Sequence, residues 1–440
     1  MPDRIFRLDR RDLLNGLGLA ALGAAVPDFA AAQSRLSLKL QAGAAGVRLR
    51  PGQPDAPIWS LRGTPPDRAL RFRRGDEVEI AFQNDLPVPV ALNWRGLDGA
   101  AAAEPLAARP PLAAGARENL VIPWPHAGTF LCDLTLLADR TVRPGRGLPL
   151  IVAESEPVAV DRDEIFLIED WRLRPDGTAI TPGVEPADTT LLYTVNGLQT
   201  PNIAARPRER LRFRFINGCQ RTVVAVKIEG YEVRIMAIDS QPAEPFPARN
   251  SAIVLAPGGR ADAFVDAGAT PGSTSPILLH DGKESRPIAR LVVSREPPLR
   301  DAALPAAPAL PSNGLPAQLD LRGAQRFELT LGGPPGDWVR PADFAGATAP
   351  AFRAKAGRTV VLALTNRGVI PAVFHLHGHH FRLLDRLDDG WKPFWLDTLA
   401  IDSGQTQRIA FAAEHAGRWL IETVATDWAA PRLVRWYNVA

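Results

Sequence analysis

Two histidines one residue apart, His375 and His377, stand in the run Phe374-His375-Leu376-His377-Gly378-His379-His380. In a strand, successive side chains point to opposite faces, so these two imidazoles project from the same face, as metal ligands should. Imidazole suits zinc or copper, and one acid nearby would complete a three-ligand mononuclear site. The competing use is two buried imidazoles satisfied by hydrogen bonds. His379 and His380 follow a glycine and read as structural residues. His126, His280 and His415 lie in turn-like settings and receive no role. Met1 and Met236 are the only methionines, which excludes a methionine-rich site for cuprous ion. Trp391, Trp395 and Trp436 offer either an aromatic surface or core packing, and no spacing singles out a binding platform.

The elements that would carry these groups read as strands. Runs such as Glu77-Val78-Glu79-Ile80-Ala81-Phe82 and Arg212-Phe213-Arg214-Phe215-Ile216 alternate polar and apolar residues, and each predicts a strand with one buried face. Long amphipathic helical patterns are missing, and 42 Pro and 36 Gly supply breakers for many short strands. Three segments repeat one order, a polar turn, an alternating strand and then Asn: Arg74 to Asn84, Arg208 to Asn217 and Ala356 to Asn366. A period of roughly 140 residues predicts a triplicated domain. The chain of 440 residues is long enough for three domains of ordinary size. Boundaries fall at 33–157, 158–296 and 317–440, with residues 297–316 a Pro- and Ala-rich linker draped over a domain surface.

Residues 1–32 read as an export signal. Arg10-Arg11-Asp12-Leu13-Leu14 leads into a weakly apolar stretch diluted by Gly16, Gly18 and Gly23, and Ala30-Ala31-Ala32 offers the small residues of a cleavage site. The paired arginines and diluted apolar stretch favour twin-arginine export over a Sec signal, and either implies the periplasm. No later segment reads as a membrane span. These 32 residues carry four Arg and four Asp, so the mature net charge stays +3, and no basic field argues for nucleic acid. In an oxidising compartment Cys132 and Cys219 either form one disulfide or remain two buried thiols, and both outcomes stay open.

These segments together resemble the multicopper oxidases. Gly75-Asp76-Glu77-Val78 followed by Ala91-Leu92-Asn93-Trp94-Arg95-Gly96 matches that family's first motif, and Ala127-Gly128-Thr129-Phe130 with Gly147-Leu148-Pro149-Leu150 frames the second. Val195-Asn196-Gly197 and Ala256-Pro257-Gly258-Gly259-Arg260-Ala261-Asp262 match further along, then Phe374-His375-Leu376-His377-Gly378-His379 and Ala416-Gly417-Arg418-Trp419. The resemblance covers the whole mature chain. It implies an all-β protein of three cupredoxin-like Greek-key β-sandwich domains. It also implies three clustered coppers held by eight histidines between the first and third domains. A separate type 1 copper, bound by two His, one Cys and usually Met, collects electrons.

The same resemblance places other residues at most of those positions. The first motif has Asn93 and Arg95, and the second has Asp133 and Thr135. In the third, His375 and His377 remain while the preceding type 1 position is Ala372. The last motif reads Glu422, Thr423, Val424, Trp428 and Leu433. Ten histidines are needed and the chain has seven. Thr423 cannot supply the thiolate that tunes a type 1 copper. The replacements look mutually compensating. Ala372, Trp428 and Leu433 are expected to form an apolar plug, and Arg95 is expected to pair with Asp133, with Glu422 sharing the charge.

Three readings follow. The preferred one is a non-catalytic periplasmic protein with no cofactor that acts through an envelope protein partner, similar to the copper-lacking cell-division branch of the family. The alternative is a mononuclear copper or zinc site built on His375 and His377 with Glu422 or Asp133. The third is an active copper-dependent oxidoreductase using dioxygen, which the ligand count disfavours. Within the first reading, His375 and His377 are expected to bond to Arg95, Asn93 or Glu422.

Overall fold

The structure is a computed structural model that describes residues 36–64, 69–137, 143–332, 338–344, 349–385 and 390–440. The expected export signal, 1–32, lies outside the described residues. What is described is all-β: the only helical pieces are three single turns of three residues each. No helix among the described residues is long and apolar enough to cross a membrane.

Six sheets form three sandwiches in chain order. The first pairs a sheet containing Leu36–Val47, Ala56–Thr64, Glu77–Asn84 and Arg117–Pro123 with one containing Val90–Arg95, Gly128–Leu136 and Leu148–Ala153. Sheets built from residues 162–293 make the second, and sheets from 325–439 make the third. Each sandwich has its own apolar core drawn from both of its sheets.

The triplication is visible bond by bond. In each sandwich the opening strand runs parallel to the strand that ends in the repeated asparagine: Leu36–Val47 beside Glu77–Asn84, Arg162–Leu173 beside Arg210–Asn217, and Gln325–Leu331 beside Thr359–Asn366. Asn84, Asn217 and Asn366 are fully buried and do the same work. Each carboxamide donates to backbone carbonyls, three for Asn84 and two each for Asn217 and Asn366, and accepts the N–H two residues on, at Leu86, Cys219 and Gly368. A buried loop start therefore keeps its backbone groups paired, which is why the position calls for Asn.

The two strands used as sequence patterns behave differently. In Glu77–Asn84, Val78, Ile80 and Phe82 are buried while Glu77, Glu79 and Ala81 are exposed, as alternation predicts. In Arg210–Asn217 all eight residues are buried, so the expectation of one exposed face fails. The arginine face is covered by acids. Arg212 reaches Asp262 and Glu154 at 2.6 Å, and Arg214 reaches Asp163 at 2.7 Å and the Thr129 hydroxyl of the first sandwich at 2.9 Å. Alternation signalled two chemically different faces, and the polar one is an interior ionic face.

Residues 297–316 contain no strand. Ala307 and Leu310 pack on Met236, Ala237 and Phe264, and the buried Asn313 carboxamide bonds to Ala127, Ser240 and Gln241. The two cysteines are free and buried, so the disulfide alternative is not realised. Cys132 belongs to the core of the first sandwich and Cys219 to that of the second, which points each thiol into its own sandwich.

Candidate functional site

Two strand pairs face each other where the first and third sandwiches meet. In the first, Val90–Arg95 and Gly128–Leu136 run antiparallel with Asn93 opposite Asp133 and Ala91 opposite Thr135. In the third, Ala372–Leu376 and Gly417–Ala425 place His375 directly opposite Glu422. Because alternate residues share a face, Arg95 and Asp133 from one pair and His375, His377 and Glu422 from the other turn toward a common interior.

Arg95 occupies its centre. Its Nε donates to Asp133 Oδ2 at 2.9 Å, and its Nη2 donates to Glu422 Oε2 at 3.0 Å. The contact expected between Arg95 and Asp133 is therefore present, and Glu422 shares the guanidinium. Arg432 Nη1 reaches the same Glu422 oxygen at 2.9 Å. The second sandwich closes over the group through Gly258, whose φ of +85° suits glycine and where a Cβ would stand 3.2 Å from Arg95 Cδ. Burial works against the charge on Arg95, but Asp133 and Glu422 outweigh it and raise its pKa. Burial likewise opposes ionisation of Glu422, yet Arg95, Arg432 and His377 hold its carboxyl well below the usual range.

The two histidines are tied from behind. His377 Nδ1 lies 2.9 Å from Glu104 Oε1, which also accepts the Leu420 N–H. Its Nε2 is 3.6 Å from Glu422 Oε1 and has no hydrogen-bond partner. Burial alone would lower its pKa, but the Glu104 and Glu422 carboxylates raise it to about 10, so the ring is an imidazolium at neutral pH. His375 is different. The Thr398 hydroxyl donates to Asp397 Oδ1, so it accepts from His375 Nδ1 at 2.9 Å. Burial, only partly opposed by Asp397, pushes its pKa down to about 4. Asp397 in turn takes a two-pronged contact from Arg260 at 2.9 and 2.7 Å. The expected partners Arg95, Asn93 and Glu422 are thus not the ones these rings use for hydrogen bonding. Asn93 is instead bonded to Thr135 at 2.8 Å.

Beside these groups is an inner chamber of about 40 Å³, lined by Arg95, Asp133, His375, Glu422, Arg432 and neighbours that include Val424 and Thr423. That volume holds about two or three water molecules.

The expected apolar plug is not formed. Ala372 lies in the third sandwich's core. Trp428 leaves that core and docks on the second sandwich, where its indole N–H donates to Thr181 O at 3.2 Å and the Arg172 guanidinium lies 5.6 Å from its ring centroid. Leu433 is half-buried opposite Thr423 in the strand pair. Equal volume argued for a plug, but the loop holding Trp428 follows the second sandwich.

The remaining histidines sort clearly. The His379 ring meets the Tyr437 hydroxyl at Nδ1 and the His415 N–H at Nε2, and burial pushes its pKa down to about 3. The one group among the described residues with metal-ligand spacing is Asp98, His126 and His380, which the sequence did not suggest. His380 spends both nitrogens, on Asp98 at 2.7 Å and on the Asp239 carbonyl at 2.6 Å. Burial lowers its pKa, but Asp98 overcomes this and lifts it to about 9, so a metal there would have to displace a proton held by a carboxylate. Trp391, Trp395 and Trp436 pack into two small apolar clusters, with Arg382 over the first two and Arg418 over the third. Of the groups the sequence missed, Glu104 left one signal, a lone acid in the alanine-rich stretch 100–108. Asp397 and Arg432 left none.

Two multicopper oxidase models match residues 161–274 and 318–440, and together they cover more than half of the chain. The chain belongs to the multicopper oxidase family. A multicopper oxidase from Pseudomonas thermotolerans has the same fold, with a TM-score of 0.77 over 92% of this chain and 99% of that one at 24% identity. Multicopper oxidase MmcO of Mycobacterium tuberculosis is 23% identical, with the match covering 85% of this chain and 82% of that protein. Cell division protein FtsP of Haemophilus influenzae is 24% identical over 59% of this chain and 60% of its own length. This member of the multicopper oxidase family thus has relatives named both as oxidases and as a cell-division protein.

Proposed function

We propose that this chain keeps the family's three-sandwich body without its copper centres and serves as a non-catalytic protein of the cell envelope, working through contacts with other proteins. The observation that carries the reading is Arg95. Its guanidinium sits between Asp133 and Glu422 at 2.9 and 3.0 Å, supplies positive charge to a buried acidic interior, and has no lone pair to offer a metal. In this reading the donor set does not fit the family's coppers. Seven histidines cannot fill ten places, and Thr423 stands where a thiolate would be required. The likeness to FtsP and the paired arginines of Arg10-Arg11 support an exported protein of the periplasm, and the net charge of +3 gives no support to a nucleic-acid partner.

A second reading, one copper or zinc ion held by His375, His377 and Glu422, is favoured by one observation. The buried Nε2 of His377 has no partner and faces Glu422. The nearby Arg95 charge weighs against it. Dioxygen uptake by copper-loaded protein with phenolic or cuprous substrates tests the first reading. Uptake no faster than with free copper is expected, and copper-dependent turnover by the protein contradicts it.

A further inference from the structure

Outside the inner chamber lies a larger pocket of about 420 Å³ that opens to solvent. Asp133, Gly147, Gln220 and Arg432 line both, so Arg432 stands at the boundary between them. Four guanidiniums line the outer pocket, those of Arg146, Arg221, Arg340 and Arg432. They come from all three sandwiches and their connections, which brings four like charges to one place that no local sequence pattern announces.

Three of the four are paired. Arg146 meets Glu169 at 2.6 Å, Arg340 meets Asp343 at 2.9 Å and Arg432 meets Glu422 at 2.9 Å. Asp133, the only carboxylate lining the pocket among the described residues, is already paired with Arg95. Arg221 is the exception. It is 5% exposed, and its Nε, Nη1 and Nη2 donate only to the carbonyls of Ala430 and Gln220. These bonds use three of its five N–H donors. The nearby acids are committed elsewhere: Asp170 accepts from the Gln220 N–H and the Thr222 hydroxyl, and Asp427 from the Ala429 N–H. Burial first, and then the neighbouring Arg432, depress the Arg221 pKa to about 9. The Asp170, Glu422 and Asp427 carboxylates offset part of this from a distance, but none contacts the guanidinium directly, and an anion in the pocket would supply that contact.

We propose that this pocket binds a small organic anion, with Arg221 and Arg432 as the principal contacts and Arg340 at the rim. The guanidinium fork matches carboxylate and phosphate oxygens alike, and the volume exceeds that of a bare inorganic ion. The inference is independent of whether copper binds further in.

Calorimetric titration of the intact protein at low salt with citrate, and separately with inorganic phosphate, tests it. Saturable binding of one anion per chain is expected, tighter for citrate if carboxylates are the natural group and tighter for phosphate if they are not. Arg221→Gln is expected to weaken binding at least tenfold. Arg340→Ala is expected to weaken it several-fold, and because this side chain is 60% exposed the variant reports even if the buried substitution does not fold. No saturable binding of either anion, or binding unchanged in Arg340→Ala and in any folded Arg221→Gln, overturns the proposal.

Discussion

Arg95 and Glu422, 327 residues apart in the chain, meet through a 3.0 Å charge-assisted hydrogen bond that joins the first sandwich to the third. The charges around it balance: Arg95, Arg432 and the His377 imidazolium face Asp133, Glu422 and Glu104. Such an arrangement is worth little against an apolar replacement, but it is costly to break on one side only.

Removing the central cation is therefore expected to be severe. Arg95→Ala leaves Asp133 and Glu422 buried without their shared partner and should destabilise the protein by about 3–5 kcal/mol in denaturant unfolding. Adding Glu422→Gln to that variant should recover part of the loss, and a double-mutant cycle measures the coupling. Simple additivity would mean that the two groups do not act as a pair.

The His377 imidazolium makes stability fall in alkali. Its folded pKa, about 10, lies above the unfolded value of 6.5, so its contribution is complete below about pH 6.5 and is lost as pH rises through about 10. Glu422 has the opposite sign: its folded pKa is depressed, so its contribution is present above its ordinary range and is lost in acid. Urea midpoints at about pH 6, 8 and 10 should decline with pH, and Glu104→Gln should flatten that decline. An unchanged slope in the variant would show that Glu104 does not hold the proton on His377.

Much of this architecture was legible in the sequence, for physical reasons. The repeated asparagines mark a loop start that needs at least three backbone partners, and the alternating strands fixed which side chains share a face. Arg95 and Asp133 were predictable as partners because the family resemblance places both at one former copper position, although in the strand register Asp133 lies opposite Asn93. Glu104, Asp397 and Arg432 were not, since loops and neighbouring strands deliver them without periodicity. Trp428 misled because its size suggested a filling for the third core, whereas the loop that carries it packs against Thr181 and Arg172.

Gly378 should tolerate no side chain. Its φ is +74°, and a Cβ would lie 2.2 Å from the Trp419 ring. Gly378→Ala is expected to cost about 2–4 kcal/mol, from the left-handed backbone and the overfilled contact together, and to shift the thermal midpoint accordingly. A change within about 0.5 kcal/mol, as for an ordinary surface substitution, would contradict the packing described.

The thiols give an independent check. Cys132 and Cys219 lie in separate cores, so thiol titration of the unfolded protein should find two free groups, and the unfolding midpoint should not respond to reductant. A midpoint that drops on reduction would reveal a bond between them.

Copper content decides the central claim most directly. The protein is loaded with excess copper, passed through a chelating column and assayed for bound metal and visible absorption. No tightly held copper and no blue band are expected if, as proposed, Arg95 stands at the cluster position and Thr423 at that of the thiolate. About four coppers per chain with an intense blue band would contradict it, and a single ion lost on His375→Ala with His377→Ala would replace it with the mononuclear reading.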